Sequence, residues 1–131
     1  MSLVNLLVVI ALFQYVFFAA RVGWARGKYA VPAPATTGNP IFERHYRVQS
    51  NTLEMLILLI PAVWIASAYW NPLFIAAMLA VYIVGRQVYY VAYIEDPKKR
   101  SIGFGLTLMP ILLLLVAGLG GAAWAMIQTG I

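Results

Sequence analysis

Four nearly continuous apolar stretches divide the chain, at about Leu3–Val22, Leu53–Tyr69, Pro72–Ile94 and Ile102–Ile127. An α-helix needs roughly 20 apolar residues to cross a bilayer, with a lower limit of about 17. The second stretch sits at that limit, and its helix is expected to begin near residue 43, inside the polar run "FERHYRVQSNTLE". The third is interrupted by Arg86 and Gln87, which lower its hydropathy but not its length. About thirty residues separate the first two stretches and include "VPAPATTGNP", whose Pro, Gly and Thr content reads as loop. "YWNP" reads as a tight turn with aromatic side chains at interface depth. In "EDPKKRS", Asp96 reads as an N-cap followed by Pro97 at the first helical position. The pattern predicts an all-α membrane protein, one domain over residues 1–131 folded as a four-transmembrane-helix bundle.

The polar positions inside these spans are ordered too. At ~100° per residue, Arg44, Arg47, Asn51 and Glu54 fall on one side of a helix, spaced i, i+3, i+7 and i+10, while Gln49 points elsewhere. In the third span Tyr82, Arg86, Tyr89, Tyr90 and Tyr93 share one narrow arc. A central Arg costs about 2.5–3.5 kcal/mol on insertion scales. Arg86 is therefore expected to face protein or a wet cavity. One reading is a buried Glu54–Arg86 ion pair that locks the second and third helices together. That pair leaves Arg44, Arg47, Asn51, Tyr89, Tyr93 and Arg100 unexplained at the same end of the spans. Arginine forks match carboxylates bidentately, and tyrosines supply hydroxyls. Such a set suits a small polyanion, with Glu54 placed to take an ammonium group. Glutathione has this inventory, but a nucleotide or a dicarboxylate would also want arginine.

Composition narrows the class. The chain is 63% hydrophobic and 10% charged, against about 25% charged residues in soluble domains. There is no Cys, which excludes disulfides and thiolate metal sites, and the single His45 leaves too few ligands for an all-protein zinc site. The first span has no basic residues before it and no small-residue cleavage pattern after it, so it reads as a retained helix. Arg21, Arg26, Lys28, Arg44 and Arg47 cluster around the first loop and Lys98, Lys99 and Arg100 in the third, while the second loop and both tails carry no Lys or Arg. The positive-inside rule then predicts that loops one and three are cytoplasmic and both termini outside. This asymmetry accounts for much of the +5 net charge, and basic residues tied to a membrane edge do not form a nucleic-acid interface. His45 and Trp24 are expected to be exposed or interfacial. The small residues of the fourth span, Ala117 to Ala125, read as a helix-packing surface.

Two blocks carry a family resemblance. "NPIFERHYRVQSNTLE" resembles the signature of the MAPEG family, the membrane-associated proteins in eicosanoid and glutathione metabolism, at Glu43, Arg44, Arg47, Gln49, Asn51 and Glu54. "GRQVYYVAYIEDPKKRS" is similar to the family's second block at Arg86, Tyr89, Tyr93 and Arg100. The resemblance covers nearly the whole chain. It implies a homotrimer, with glutathione as co-substrate in a polar pocket between subunits and a lipophilic second substrate arriving from the bilayer. It further implies that Arg26, Arg47, Asn51, Glu54, Arg86, Tyr89 and Tyr93 bind glutathione. Arg100 would lie against the sulfur and stabilise the thiolate, with Ser101 assisting. Met55, Gly27 and Gln49 depart from residues typical of the eicosanoid-synthesising branches. The expectation is a glutathione transferase or peroxidase of a bacterial inner membrane, acting on lipophilic electrophiles or lipid hydroperoxides. The alternatives are a non-enzymatic member that presents a lipid to a partner enzyme and, more remotely, a small four-helix transporter.

Overall fold

The computed structural model describes residues 1–130. Four helices follow one another, α1 (Ser2–Tyr29), α2 (Pro40–Ser67), α3 (Pro72–Glu95) and α4 (Ser101–Thr129), with a 3₁₀ turn, Pro97–Arg100, joining the last two. All four are long and apolar enough to cross a membrane. In hydrocarbon the backbone N–H and C=O groups have no water to bond, so each span must satisfy them within itself.

Sequence marks where the last three helices start. Asn39 accepts hydrogen bonds from the backbone N–H groups of Ile41 and Phe42, at 2.9 and 3.1 Å, and Pro40 begins α2. Asn71 accepts from Leu73 N at 2.7 Å, with Pro72 behind it. Asp96 accepts from Lys98 N at 3.0 Å, ahead of Pro97. A side-chain acceptor followed by a residue with no N–H satisfies the orphan donors of a helix start. Asp96 therefore caps as its sequence predicts, although the turn it opens is 3₁₀ before becoming α-helical.

The first connection is much shorter than the hydropathy pattern predicts. α1 runs on to Tyr29, and α2 starts at Pro40, leaving only residues 30–39 between them. Arg26 and Lys28 lie in the last turn of α1, where the negative end of the helix dipole favours cations. The helix stops at Ala30, which is left-handed with φ 54°. The Arg26 guanidinium then ties the loop down, donating to Ala35 O at 2.6 Å and packing over the Phe42 ring at 4.7 Å.

Each helix shows an apolar face to the outside, as lipid contact requires. Trp64 is 82% exposed and Leu119 73%. The interior core includes Leu59, Ile75, Leu79, Ile111 and Leu114, all fully buried. α3 and α4 pack most closely. A Cβ added to Gly103 would lie 2.3 Å from the Tyr89 backbone nitrogen, and one added to Gly85 would lie 2.7 Å from the Leu106 carbonyl carbon. The packing surface read into the fourth span is real at Gly118 and Gly121, which meet Ile65 and Tyr69, but not at Gly120, which meets nothing.

Because the chain runs up and down, both basic loops lie at one end of the bundle. Gly103→Ala forces a side chain into the backbone of α3, and overpacking of this kind costs about 1–3 kcal/mol. We expect a matching drop in the SDS-unfolding midpoint in mixed micelles, with Gly120→Ala unchanged or slightly more stable.

Candidate active site

At the basic end a groove of about 650 Å³ opens between α2, α3 and the start of α4. Arg47 and Asn51 line it from α2, Tyr89 and Tyr93 from α3, and Arg100 and Ser101 from the turn into α4. Phe104 and Gly105 form its less polar edge. The volume is in the range of small-molecule sites, about 300–1,000 Å³.

A hydrogen-bonded chain orders the polar groups. Arg86 is fully buried and donates through Nη1 to Asn51 Oδ1 at 2.7 Å. A guanidinium only donates, so it fixes the carbonyl of the Asn51 amide toward itself and turns the Nδ2 group away. That Nδ2 donates to Glu54 Oε2 at 3.3 Å. The other Glu54 oxygen, Oε1, accepts from Arg47 Nη1 at 3.2 Å. Arg86 also lies over the Tyr89 ring at 4.1 Å, and Tyr89 and Tyr93 stack with centroids 5.3 Å apart.

This corrects the expected Glu54–Arg86 ion pair. Glu54 is about half exposed and pairs with Arg47 instead. Arg86 finds its acceptors one helical turn earlier, on Asn51 and, at 3.5 Å, on Thr52 Oγ1. The physical reason is burial: Glu54, a turn beyond Asn51, stays half exposed and outside the groove lining, and only neutral acceptors are buried with the guanidinium. Arg86 is thus behind the groove and does not line it.

Other expected members also lie elsewhere. Arg44 donates to the carbonyls of Ile94 and Glu95 at 2.8 and 2.9 Å, closing the C-terminal end of α3. Tyr90 turns to α1, where its hydroxyl accepts from Arg21 Nε at 3.0 Å. Arg26 holds the first loop and is not in the groove of its own chain. His45 is not exposed but 2% accessible, packed between the Trp24 and Tyr90 rings at 5.8 and 5.9 Å. Trp24 is 43% exposed, with Arg21 and Lys28 over its ring.

Sequence reasoning missed Thr52, Phe104 and Gly105. Thr52 is recognisable only once its hydroxyl is seen donating to Val48 O at 2.7 Å, leaving a lone pair for Arg86. The signal for Gly105 was its place in "SIGFG", one turn after Ser101.

Chemically the groove offers two guanidinium groups, an amide, a hydroxyl and two phenol rings, edged by an apolar wall; Glu54 is not in its lining and touches it only through Arg47 and Asn51. One carboxylate does not balance Arg47 and Arg100, so an anion is favoured. Four helices able to span a membrane, with a cationic groove at one end, define a multi-pass membrane protein with a polar groove at the basic end of its bundle. Comparison with known proteins is more specific: the MAPEG family model matches residues 4–120, and the chain belongs to that family. It is 44% identical to human (Homo sapiens) microsomal glutathione S-transferase 2 over 110 residues, covering 84% of this chain and 75% of that one. An uncharacterised Synechocystis protein is 39% identical over 123 residues, covering 94% and 90%. Bovine (Bos taurus) leukotriene C4 synthase is 33% identical over 84 residues, covering 64% and 56%. Membership supports a glutathione-using membrane enzyme family and an integral multi-pass location.

The two arrangements of Arg86 predict opposite mutant phenotypes. Asn51→Ala removes the nearest acceptor of a fully buried cation, and the expected loss is at least about 2 kcal/mol. Glu54→Gln breaks only a half-exposed pair, worth about 0–1 kcal/mol. SDS-unfolding midpoints of the two variants, compared with wild type, decide between them. A larger loss for Glu54→Gln restores the ion pair with Arg86.

Proposed function

We propose that the protein is a membrane-bound glutathione transferase and peroxidase acting on lipophilic electrophiles or lipid hydroperoxides. The observation that carries this is the meeting of Arg47, Asn51, Tyr89, Tyr93, Arg100 and Ser101 in one groove, from three separate helices and a turn. Glutathione fits the donor set: its carboxylates match Arg47 and the Asn51 amide, and its ammonium matches Glu54. In this reading Arg100 faces the sulfur. A cation beside a thiol lowers its pKa, and the thiolate is the nucleophile. Ser101 donates a hydrogen bond to the same sulfur. Arg86 acts by holding Asn51 in place.

Two reactions follow from one thiolate. Toward an activated alkene, sulfur bonds to the electrophilic carbon, the π pair moves onto the conjugated acceptor, and water returns a proton to the neighbouring carbon. Toward a lipid hydroperoxide, sulfur takes the terminal oxygen, the O–O bond breaks, and the alkoxide leaves and is protonated. The resulting glutathione sulfenic acid reacts with a second glutathione, giving the disulfide and water.

We further propose a homotrimer in which the groove is closed by a neighbouring subunit, whose Arg26 completes the glutathione site. Arg26 lies at the same end of the bundle as the groove but on another face of its own chain, and this supports the placement. We place that basic end in the cytoplasm, at the inner membrane, following the positive-inside rule.

Arg100→Ala is expected to bind glutathione within a few-fold of wild type by calorimetry in detergent. It should lose the thiolate absorbance at neutral pH, with kcat falling about 10²–10³-fold. Arg100→Lys should recover part of both. If wild type does not bind glutathione, the lipid-presenting scaffold becomes the better reading. If Arg100→Ala keeps its thiolate, another group activates the sulfur.

A further inference from the structure

A second polar cluster lies at the basic end, on the seam between α1 and α3 and apart from the groove. Arg21 donates through Nε to the Tyr90 hydroxyl at 3.0 Å, and its guanidinium carbon lies 4.0 Å from the centre of the Trp24 ring. Lys28 Nζ lies 4.8 Å from the same ring. Edge contacts with His45 at 5.8 Å and Tyr29 at 6.4 Å fix that ring from other sides. Two cations are thus gathered at one aromatic side chain that is itself held in place.

Neither charge is answered by a carboxylate. The ion pairs among the described residues join Arg47 to Glu54 and Lys99 to Glu95. The ring quadrupole attracts each cation, but it neutralises neither, and the two repel each other. A negative group bound between them offsets that repulsion.

The helix surface leading to them is apolar. At ~100° per residue, Ile10, Phe13, Phe17, Arg21, Trp24 and Lys28 fall within an arc of roughly 80°. Ile10 is 41% exposed, Phe13 69% and Phe17 46%. From Phe13 to Arg21 the helix rises about 12 Å, close to half of a hydrocarbon core of roughly 30 Å. Arg26 lies roughly 140° around α1 from Arg21. The subunit contact proposed above is on the Arg26 side, which leaves the Arg21 side to the bilayer.

We propose that Arg21, Lys28 and Trp24 form a headgroup site for an anionic phospholipid. The phosphodiester sits between the guanidinium and the ammonium, and an acyl chain lies along Phe17 and Phe13. A zwitterionic lipid is the poorer ligand, because its own cation cancels the charge the site lacks. General attraction to a negative membrane surface acts on every basic residue at this end, whereas this site singles out two. The proposal does not rest on the glutathione reading.

Native mass spectrometry tests it on the full chain in detergent, with dioleoylphosphatidylglycerol and dioleoylphosphatidylcholine in equal amounts. The readout is the ratio of the two adducts. Wild type should retain one phosphatidylglycerol per chain in preference to phosphatidylcholine, and excess glycerol 1-phosphate should not displace it. Arg21→Ala/Lys28→Ala should lower the ratio roughly tenfold or more, and Lys28→Ala alone roughly fivefold. Lys98→Ala/Lys99→Ala removes the same charge from the same end and should stay within about twofold of wild type. Lys28 is exposed and packs on the Trp24 and Tyr29 rings, so Lys28→Ala decides if the double variant fails to fold. Equal losses in the two double variants overturn the proposal, because charge alone then accounts for the preference. A wild type with no preference overturns it, and so does a preference that survives in Lys28→Ala. Displacement by glycerol 1-phosphate also overturns it, since the cluster then holds a free anion and not a lipid.

Discussion

A guanidinium held out of water in a membrane-spanning helix needs acceptors, and Arg86 obtains two for its Nη1 from a single turn of α2, while its Nε and Nη2 have none among the described residues. Asn51 and Thr52 meet it there. Since the guanidinium only donates, the Asn51 amide has one permitted orientation, and its nitrogen is left to hold Glu54. Glu54 in turn holds Arg47 at the groove. Sliding α2 along α3 by a turn would strand a buried cation, which costs several kcal/mol. The register of the two helices and the presentation of the groove-lining groups of α2 therefore rest on the same contact.

The other half of the groove is delivered by close packing. Gly85 and Gly103 let α3 and α4 approach backbone to backbone. The approach brings Arg100 and Ser101 to the same groove as Tyr89 and Tyr93. Two residues along a helix turn it by ~200°, so Gly103 and Gly105 serve opposite sides. One is tight against protein and the other is open.

Much of this was legible in the sequence, and the limits are instructive. The four spans, the Asp96 cap and the polar stripe of α2 follow from periodicity and capping chemistry, which are local. Helix-wheel arcs, however, treat a helix as having one inner side. α3 contacts all three other helices, so Tyr89 reaches the groove while Tyr90, its neighbour in sequence, goes to Arg21 on α1. The Glu54–Arg86 pair was the natural guess from charge alone, because sequence carries no depth. A neutral amide and a hydroxyl met the cation instead. His45 looked exposed because it sits among charged residues, yet it packs beneath Trp24. Hydropathy ended α1 too early because charged residues on its last turns register as loop, although they suit a helix C-terminus.

The placement of Arg44 bears on how relatives of this chain should be read. Arg44 and Arg47 stand in the same short motif, yet Arg44 closes the end of α3 through the Ile94 and Glu95 carbonyls, while Arg47 looks into the groove. A descendant that abandoned chemistry would still need Arg44, since the helix end must be satisfied whether or not anything is catalysed. It would be free to lose Arg47 and Arg100. The motif is therefore two texts overprinted, one about architecture and, in the function proposed above, one about reactivity. Only substitutions in the second report whether a member of the family has changed its occupation.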